Sequence, residues 1–167
     1  MLYKRFFILL LLTLSLPTFA THAAAKNYDL AFVTIDIPDS CNFTTRDGAV
    51  FVVNETDHFF TLNVVERNKD ISLEEYAKNL SKSISGQPVG KVGEDGWGFF
   101  VKIAMVPFNV LVMENDSHVM ELFTDQNRAD WPEDIKTAFT SLQSKRPELA
   151  PLLHKLLTTQ QQAKPLD

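Results

Sequence analysis

Apolar residues in the first part of the chain recur with the two-residue period of β-strands. In the segment Leu30 to Ile37, every second residue is apolar: Ala31, Val33, Ile35 and Ile37. Pro38-Asp39-Ser40 ends this run as a turn. A continuous apolar run, Ala49 to Val53, and a further alternating run, His58 to Glu66, follow after short polar turns. The pattern therefore predicts a sheet that begins with a meander of three strands.

The period then changes to that of an α-helix. Ser72 and Glu75 have the spacing of a capping box, and Gly86 is placed to end the helix. The apolar residues between them fall on one helical stripe: Leu73, Tyr76, Ala77, Leu80 and Ile84. We expect this stripe to pack on one face of the sheet.

Two hairpins are predicted beyond this helix. The Asp-Gly step in Glu94-Asp95-Gly96 is typical of a tight turn, and Pro107 is expected to break the next connection. The four strands are Val89 to Gly93, Trp97 to Met105, Asn109 to Glu114 and Ser117 to Thr124. Alternate residues of the second strand form its predicted inward face: Trp97, Phe99, Val101 and Ile103. An exposed aromatic platform for a ligand or partner is the alternative.

A second helix is predicted to start at Asp130. Asp130 and Glu133 match a capping box, and Pro132 in the first turn loses no hydrogen bond. The apolar stripe of this helix is Trp131, Ile135, Ala138, Phe139 and Leu142.

A third helix is predicted beyond Pro147, with Pro151 in its first turn. Its leucines fall at helical spacing: Leu149, Leu152, Leu153, Leu156 and Leu157. Because this stripe follows the point at which the compact unit is complete, it is the candidate interface for a partner. Packing on the protein's own domain is the alternative, and it is slightly favoured.

The order of elements is βββ-α-ββββ-α, followed by the terminal helix. Strands such as Ala49 to Val53 are apolar at consecutive positions, which indicates that both faces of the sheet are covered. We therefore predict an α+β fold in which an antiparallel sheet of about seven strands is sandwiched by helices. This domain spans residues 26–145, and residues 146–167 form a C-terminal helix and a polar tail.

Residues 1–25 have the organisation of a secretory signal peptide. A basic start, Lys4-Arg5, precedes an apolar core, Phe6 to Leu16, and a run of small residues ends at Ala25. The eleven residues of this core fall short of the roughly 20 that a membrane-spanning helix needs. We expect cleavage after Ala25, with Ala20 as the alternative, and a product in the periplasm or secreted, without a stable membrane anchor.

Three segments carry a resemblance to a known family. They are Ile37-Pro38-Asp39 at the end of the first strand, the helix Leu73 to Leu80 and the closing helix Trp131 to Leu142. In layout and helix texture, residues 30–143 resemble PsbP-like domains, including the DcrB-type proteins of the bacterial envelope. The resemblance implies an αβα sandwich, a place outside the cytoplasm and a non-enzymatic role in docking to another protein. It transfers no site residue to this chain.

Charge and cysteine content exclude several classes of function. Without residues 1–25 the chain holds 14 Lys and Arg against 21 Asp and Glu, a formal charge of −7, which argues against nucleic-acid binding. A single cysteine, Cys41, excludes an intramolecular disulfide framework and a cysteine-only metal site. Burial of Cys41 is favoured over pairing between chains.

No catalytic signature emerges from the sequence. Asp116-Ser117-His118 contains the residue types of a hydrolase triad, but neighbours along a strand point to alternate faces. His58 and Asp116 both lie beside predicted turns and could cluster as a metal site, but a solvated rim is the favoured interpretation. Glu94-Asp95 lies in a predicted exposed turn. Such a turn is a poor place to raise the pKa of a carboxyl group, which glycosidase chemistry requires. We predict no catalytic residue, no metal and no cofactor.

Two functions remain open. The first is an exported, non-enzymatic binding or accessory protein of the bacterial envelope, docked to an unknown envelope protein. The alternative is a periplasmic carrier of a small apolar ligand, suggested by the number of aromatic residues.

Overall fold

The fold is given by a computed structural model, which describes residues 24–125 and 131–162. The strands are β1 (Ala25–Asp29), β2 (Val33–Pro38), β3 (Cys41–Arg46), β4 (Ala49–Asn54), β5 (Phe59–Glu66), β6 (Gly90–Val92), β7 (Gly96–Ile103), β8 (Val106–Glu114), β9 (His118–Asp125) and β10 (Gln143–Ser144). The helices are α1 (Leu73–Ser83), α2 (Glu133–Thr140) and α3 (Ala150–Gln162). The predicted signal segment lies outside the described residues apart from its last two, of which Ala25 begins β1.

The strands form two antiparallel sheets, and the predicted α+β class is confirmed. The larger sheet has seven strands in the order β3-β4-β5-β9-β8-β7-β6, and the smaller has the order β1-β2-β10. The first predicted strand becomes β2 of the smaller sheet, so its expected place in the larger sheet was wrong. That place belongs to β3, which the sequence pattern missed because an edge strand with mostly polar, exposed side chains lacks a clear apolar alternation.

Helices cover both faces of the larger sheet, as the consecutive apolar positions predict. On one face, Leu73 and Ala77 of α1 pack on β7, β8 and β9. On the other face lie the smaller sheet, α2 and α3. Successive side chains of β8 point to opposite faces and so contribute to both cores. Val110 and Val112 face α1, whereas Leu111 and Met113 face the opposite side.

Both ends of α1 have the expected kinds of cap. The Ser72 hydroxyl accepts a hydrogen bond from the Glu75 backbone N–H at 3.2 Å, which confirms the N-cap. At the other end the Gly86 N–H donates to the Ser81 carbonyl at 2.7 Å, a Schellman closure. The left-handed residue is Ser85, with φ 59°, and not Gly86.

Close packing nevertheless leaves no room for a side chain at Gly86. A Cβ at this position would lie 2.7 Å from Ser81 Oγ and 2.8 Å from Phe99 Cδ2. Gly86→Ala is therefore expected to lower the free energy of unfolding by about 1–3 kcal/mol, measured by urea denaturation. Gly90→Ala is the matched control, because no atom lies within 4 Å of its Cβ. Equal stabilities of the two variants would contradict this steric account.

The helix α2 begins later than the capping-box pattern predicts. Its N-cap is Pro132, without a side-chain cap hydrogen bond, and Asp130 lies outside the described residues. The helix is held instead by its apolar side. Trp131 is 1% exposed, and its ring centroid lies 6.0 Å from that of Phe60 and 5.4 Å from that of Phe139.

The connection between β7 and β8 is a two-residue turn, Ala104-Met105, and the predicted break at Pro107 was wrong. Both turn residues have positive φ, 50° and 71°, as a type I′ turn requires. Pro107 lies within β8, opposite Lys102. Hydrogen-bonded pairs alternate away from such a turn, so the nitrogen of Pro107 points away from β7 and its missing N–H removes no bond between these strands.

Candidate docking surface

The leucine stripe of α3 packs on the domain itself, which is the arrangement that the sequence analysis slightly favoured over a partner interface. Leu149, Leu152, Leu153 and Leu156 are at most 3% exposed within the larger core, and Leu157 packs against that core while partly exposed. These side chains are therefore covered by the protein's own core. Within residues 24–125 and 131–162, no helix combines the length and the apolar character needed to cross a bilayer.

Ser117 and His118 do come into contact, contrary to the expectation from strand alternation. Ser117 Oγ lies 2.8 Å from His118 Nδ1. The contact forms because β9 begins only at His118, so Ser117 belongs to the turn. The Asn115 side-chain oxygen accepts the backbone N–H groups of both residues, at 2.9 and 2.8 Å. In the described part of the chain no carboxylate orients this histidine, so the pair closes a turn and does not form a triad.

His58 and Asp116 lie at opposite ends of the sheet, so the predicted cluster of these two residues does not form. His58 immediately precedes β5, whereas Asp116 precedes β9, whose first residue pairs with the last residue of β5. His58 Nδ1 instead lies 2.5 Å from Asp125 Oδ2, and the Trp131 indole N–H donates to the other oxygen of Asp125. The described residues contain no group of three His, Cys, Asp or Glu placed to hold a metal.

Cys41 is buried and unpaired, as the sequence analysis favoured. Burial, with the nearby Asp134 carboxylate, raises the pKa of its thiol to about 11, so the reactive thiolate is disfavoured at neutral pH. Burial also opposes ionisation of Asp134, but hydrogen bonds from Ser40, the Ile135 backbone and Asn54 hold the pKa of that carboxyl below its ordinary value. This cluster joins α2 to β3 and β4 and is structural.

An open groove of about 450 Å³ lies at the end of the sheet where the β6–β7 and β8–β9 turns meet. Charged side chains dominate its lining and pair with one another. Arg67 Nε lies 2.7 Å from Glu114 Oε2, and Lys155 forms an ion pair with Asp95. Such a groove differs from the mostly apolar pocket that a carrier of an apolar ligand would need.

The exposed apolar residues gather at the opposite end of the sheet. Ile103 is 41% exposed, Met105 86% and Val106 44%, and they are the exposed large apolar side chains of the described residues. Together with Ala104 they form the turn between β7 and β8, which we call the hairpin tip. The expectation that Ile103 faces inward with Phe99 and Val101 was wrong, because this last residue of β7 stays exposed while the other two are buried beneath α1.

A row of aromatic rings continues this apolar surface across the sheet. The ring centroid of Phe108 lies 5.0 Å from that of Phe59, which lies 6.0 Å from that of Phe51. Phe51 and Phe108 are partly exposed. We call these three residues the phenylalanine row. In β8, Phe108 and Val106 are two residues apart and point to the same face, so the row and the hairpin tip adjoin.

An uninterrupted apolar run in the sequence indicates this surface. Residues 103–107 are apolar without interruption, although turns are usually built from polar residues or glycine. Assigning the turn to Pro107 placed Met105 at a strand end and hid the apolar turn.

Comparisons with known proteins concern the fold. No family model and no curated protein matches the chain. The solution structure of cyanobacterial PsbP (CyanoP) from Synechocystis sp. PCC 6803 is similar, with 10% identity over 79% of this chain and 99% of that chain and a TM-score of 0.45. A crystal structure from Bacteroides thetaiotaomicron VPI-5482 has 12% identity and a TM-score of 0.40, and the match covers 75% of this chain and only 50% of that protein.

A cyanobacterial PsbP is thus among the solved structures to which this chain is similar. Both TM-scores are below 0.5, so no residue role and no partner is taken from either structure. The finer, DcrB-type assignment is part of the proposal that follows.

Proposed function

We propose that this protein is a DcrB-type, exported, non-enzymatic binding or accessory protein of the bacterial envelope, and that it docks to a protein partner through the hairpin tip. Export is inferred from the basic start and apolar core of residues 1–25. The residue types that suggested chemistry are engaged in structural contacts: Ser117 and His118 in a turn, and Cys41 in the core.

One observation carries the docking role, which is the concentration of exposed apolar residues at a single turn. Met105 is 86% exposed, and Ile103 and Val106 flank it with more than two fifths of their surface in solvent. Isolated exposed apolar residues are common on protein surfaces, whereas a contiguous group marks an interaction site. A hairpin closed by a two-residue turn presents such a group as a firm projection.

Site-specific photo-crosslinking tests this role. A photoreactive amino acid replaces Met105 in one variant of the full chain and Asp116, an exposed residue at the other end of the sheet, in the matched control. In envelope fractions we expect a discrete heavier adduct from position 105 alone, and its loss when Ile103 and Val106 are replaced by serine. The same adduct from both positions, or none from position 105, would contradict the docking role.

A further inference from the structure

We propose that the partner presents an apolar face rimmed by basic side chains, and that the hairpin tip and the phenylalanine row contact this face while Glu55 and Asp57 pair with its rim. This inference rests on the proposed docking function and specifies the chemistry of the partner.

The apolar part of the surface is larger than the tip alone. It runs from Met105 through Val106 and Phe108 of β8 to Phe59 of β5 and Phe51 of β4, and β9 lies between β8 and β5 in the sheet. Neighbouring strands lie about 4.8 Å apart, so the path from β8 to β4 covers roughly 15 Å. Aromatic rings and methionine are typical of the central part of protein interfaces.

The charge beside the phenylalanine row is acidic, whereas Lys102 is exposed next to the hairpin tip. Glu55 and Asp57 are exposed in the β4–β5 turn, at the same end of the sheet as the hairpin tip. In the part of the chain that the structure describes, neither carboxylate takes part in an ion pair. Both carboxylates are therefore available to an incoming basic group. Complementary charges at the rim of an interface mainly set its specificity and its association rate.

The same charges disfavour two other occupants. An anionic bilayer would repel Glu55 and Asp57, and the chain as a whole has a net charge of −5. A second copy of the chain carries the same net negative charge, which opposes its approach. A basic, apolar protein face satisfies the apolar tip and the carboxylates together.

Designed peptides test the inference on the purified protein. Three fluorescent peptides of equal length serve as probes: a helical peptide with leucines on one face and lysines on the other, the same pattern with glutamate for lysine, and a permuted leucine–lysine peptide without an apolar face. We expect the first to bind at least about tenfold more tightly than the other two, measured by fluorescence anisotropy.

Variants assign the binding to the two parts of the surface. Replacing Ile103 and Met105 by serine is expected to weaken the leucine–lysine peptide about tenfold. Glu55→Gln together with Asp57→Gln is expected to weaken the binding of this peptide about fivefold, and the loss of affinity should be smaller at high salt. Asp116→Asn, an exposed acid at the opposite end, is the control and should leave the affinity unchanged.

Several results would overturn the inference. One is that the glutamate peptide binds as tightly as the leucine–lysine peptide, and another is that the leucine–lysine peptide does not bind. A third is that Asp116→Asn weakens binding as much as the substitutions at Glu55 and Asp57. If no peptide bound and the protein instead bound phosphatidylcholine vesicles, with or without phosphatidylglycerol, the occupant would be a bilayer, provided that this binding required the hairpin tip. Tip-dependent dimerisation in sedimentation would identify a second copy.

Failure here is distinguishable from failure of the proposed function. A crosslink from position 105 combined with a preference for the glutamate peptide would leave docking intact and reject the basic partner. Absence of the crosslink would reject docking itself.

Discussion

Leu156→Ala is expected to lower the free energy of unfolding by about 3 kcal/mol, whereas Leu157→Ala should lower it by about 1 kcal/mol. Leu156 is fully buried between α3 and the sheet, and truncation leaves a cavity that the surrounding core cannot fill. Leu157 is the next residue of the same helix and packs only against the margin of that core. Urea denaturation of both variants measures the difference.

The control for this comparison is chosen from the exposed apolar surface. Met105→Ala removes an apolar side chain that is 86% exposed and should change stability by less than about 0.5 kcal/mol. If Leu156→Ala were as mild as Met105→Ala, α3 would not be part of the folding unit. The leucine stripe would then be available to a partner, which is the candidate interface of the sequence analysis.

The α3 stripe shows what helical periodicity can decide. Spacing alone predicted the helix and the side on which its leucines lie, and both features are present. A helix buries an apolar stripe in the same way against its own sheet and against another protein. Only the location of α3 over β8, β9 and β10, which depends on long-range packing, separates the two cases.

The hairpins and α1 were predictable because their determinants are local. Ser72 and Glu75 define a helix start within four residues, and the β8–β9 turn lies at Asn115-Asp116 as expected. The exchange of β2 and β3 was not predictable in this way. The segment with the stronger apolar pattern, β2, packs under α2 in the smaller sheet, while the weakly patterned β3 completes the larger one.

The candidate docking surface was missed for a related reason. Pro107 is usually a sign of a break, and a proline in a strand is tolerated only where its nitrogen faces no partner. That condition depends on the register of β7 with β8, which the sequence does not state. Once the turn is placed at Ala104-Met105, the exposure of the apolar residues around it follows directly.

A buried polar cluster under α1 supplies the second large effect. The Tyr76 hydroxyl donates to one oxygen of Glu121, and the Asn63 side-chain amide donates to the other at 2.9 Å. Glu121 is only 6% exposed, so loss of a donor leaves a carboxyl oxygen poorly solvated. Tyr76→Phe is therefore expected to lower the free energy of unfolding by about 2 kcal/mol at neutral pH, measured by urea denaturation.

The same cluster predicts a dependence on alkaline pH. Burial, followed by the hydrogen bond to Glu121 and the charge of that carboxylate, raises the pKa of Tyr76 above its ordinary value of 10.0. Above that pH the unfolded chain has lost the proton that the folded protein still holds. The stabilisation is therefore complete below pH 10.0 and is lost progressively as the pH rises through the folded-state pKa.

Two controls isolate the contribution of Tyr76. Tyr28→Phe should change stability little, because the Tyr28 hydroxyl has no hydrogen bond within the described residues and its ring contact with Phe43 is kept. Cys41 also destabilises the fold at alkaline pH, starting near its ordinary pKa of 9.0, so the wild type and Tyr76→Phe must be compared at each pH. Above pH 10 the free energy of unfolding should fall less steeply in Tyr76→Phe. Parallel curves for the two proteins would show that folding does not raise the pKa of Tyr76.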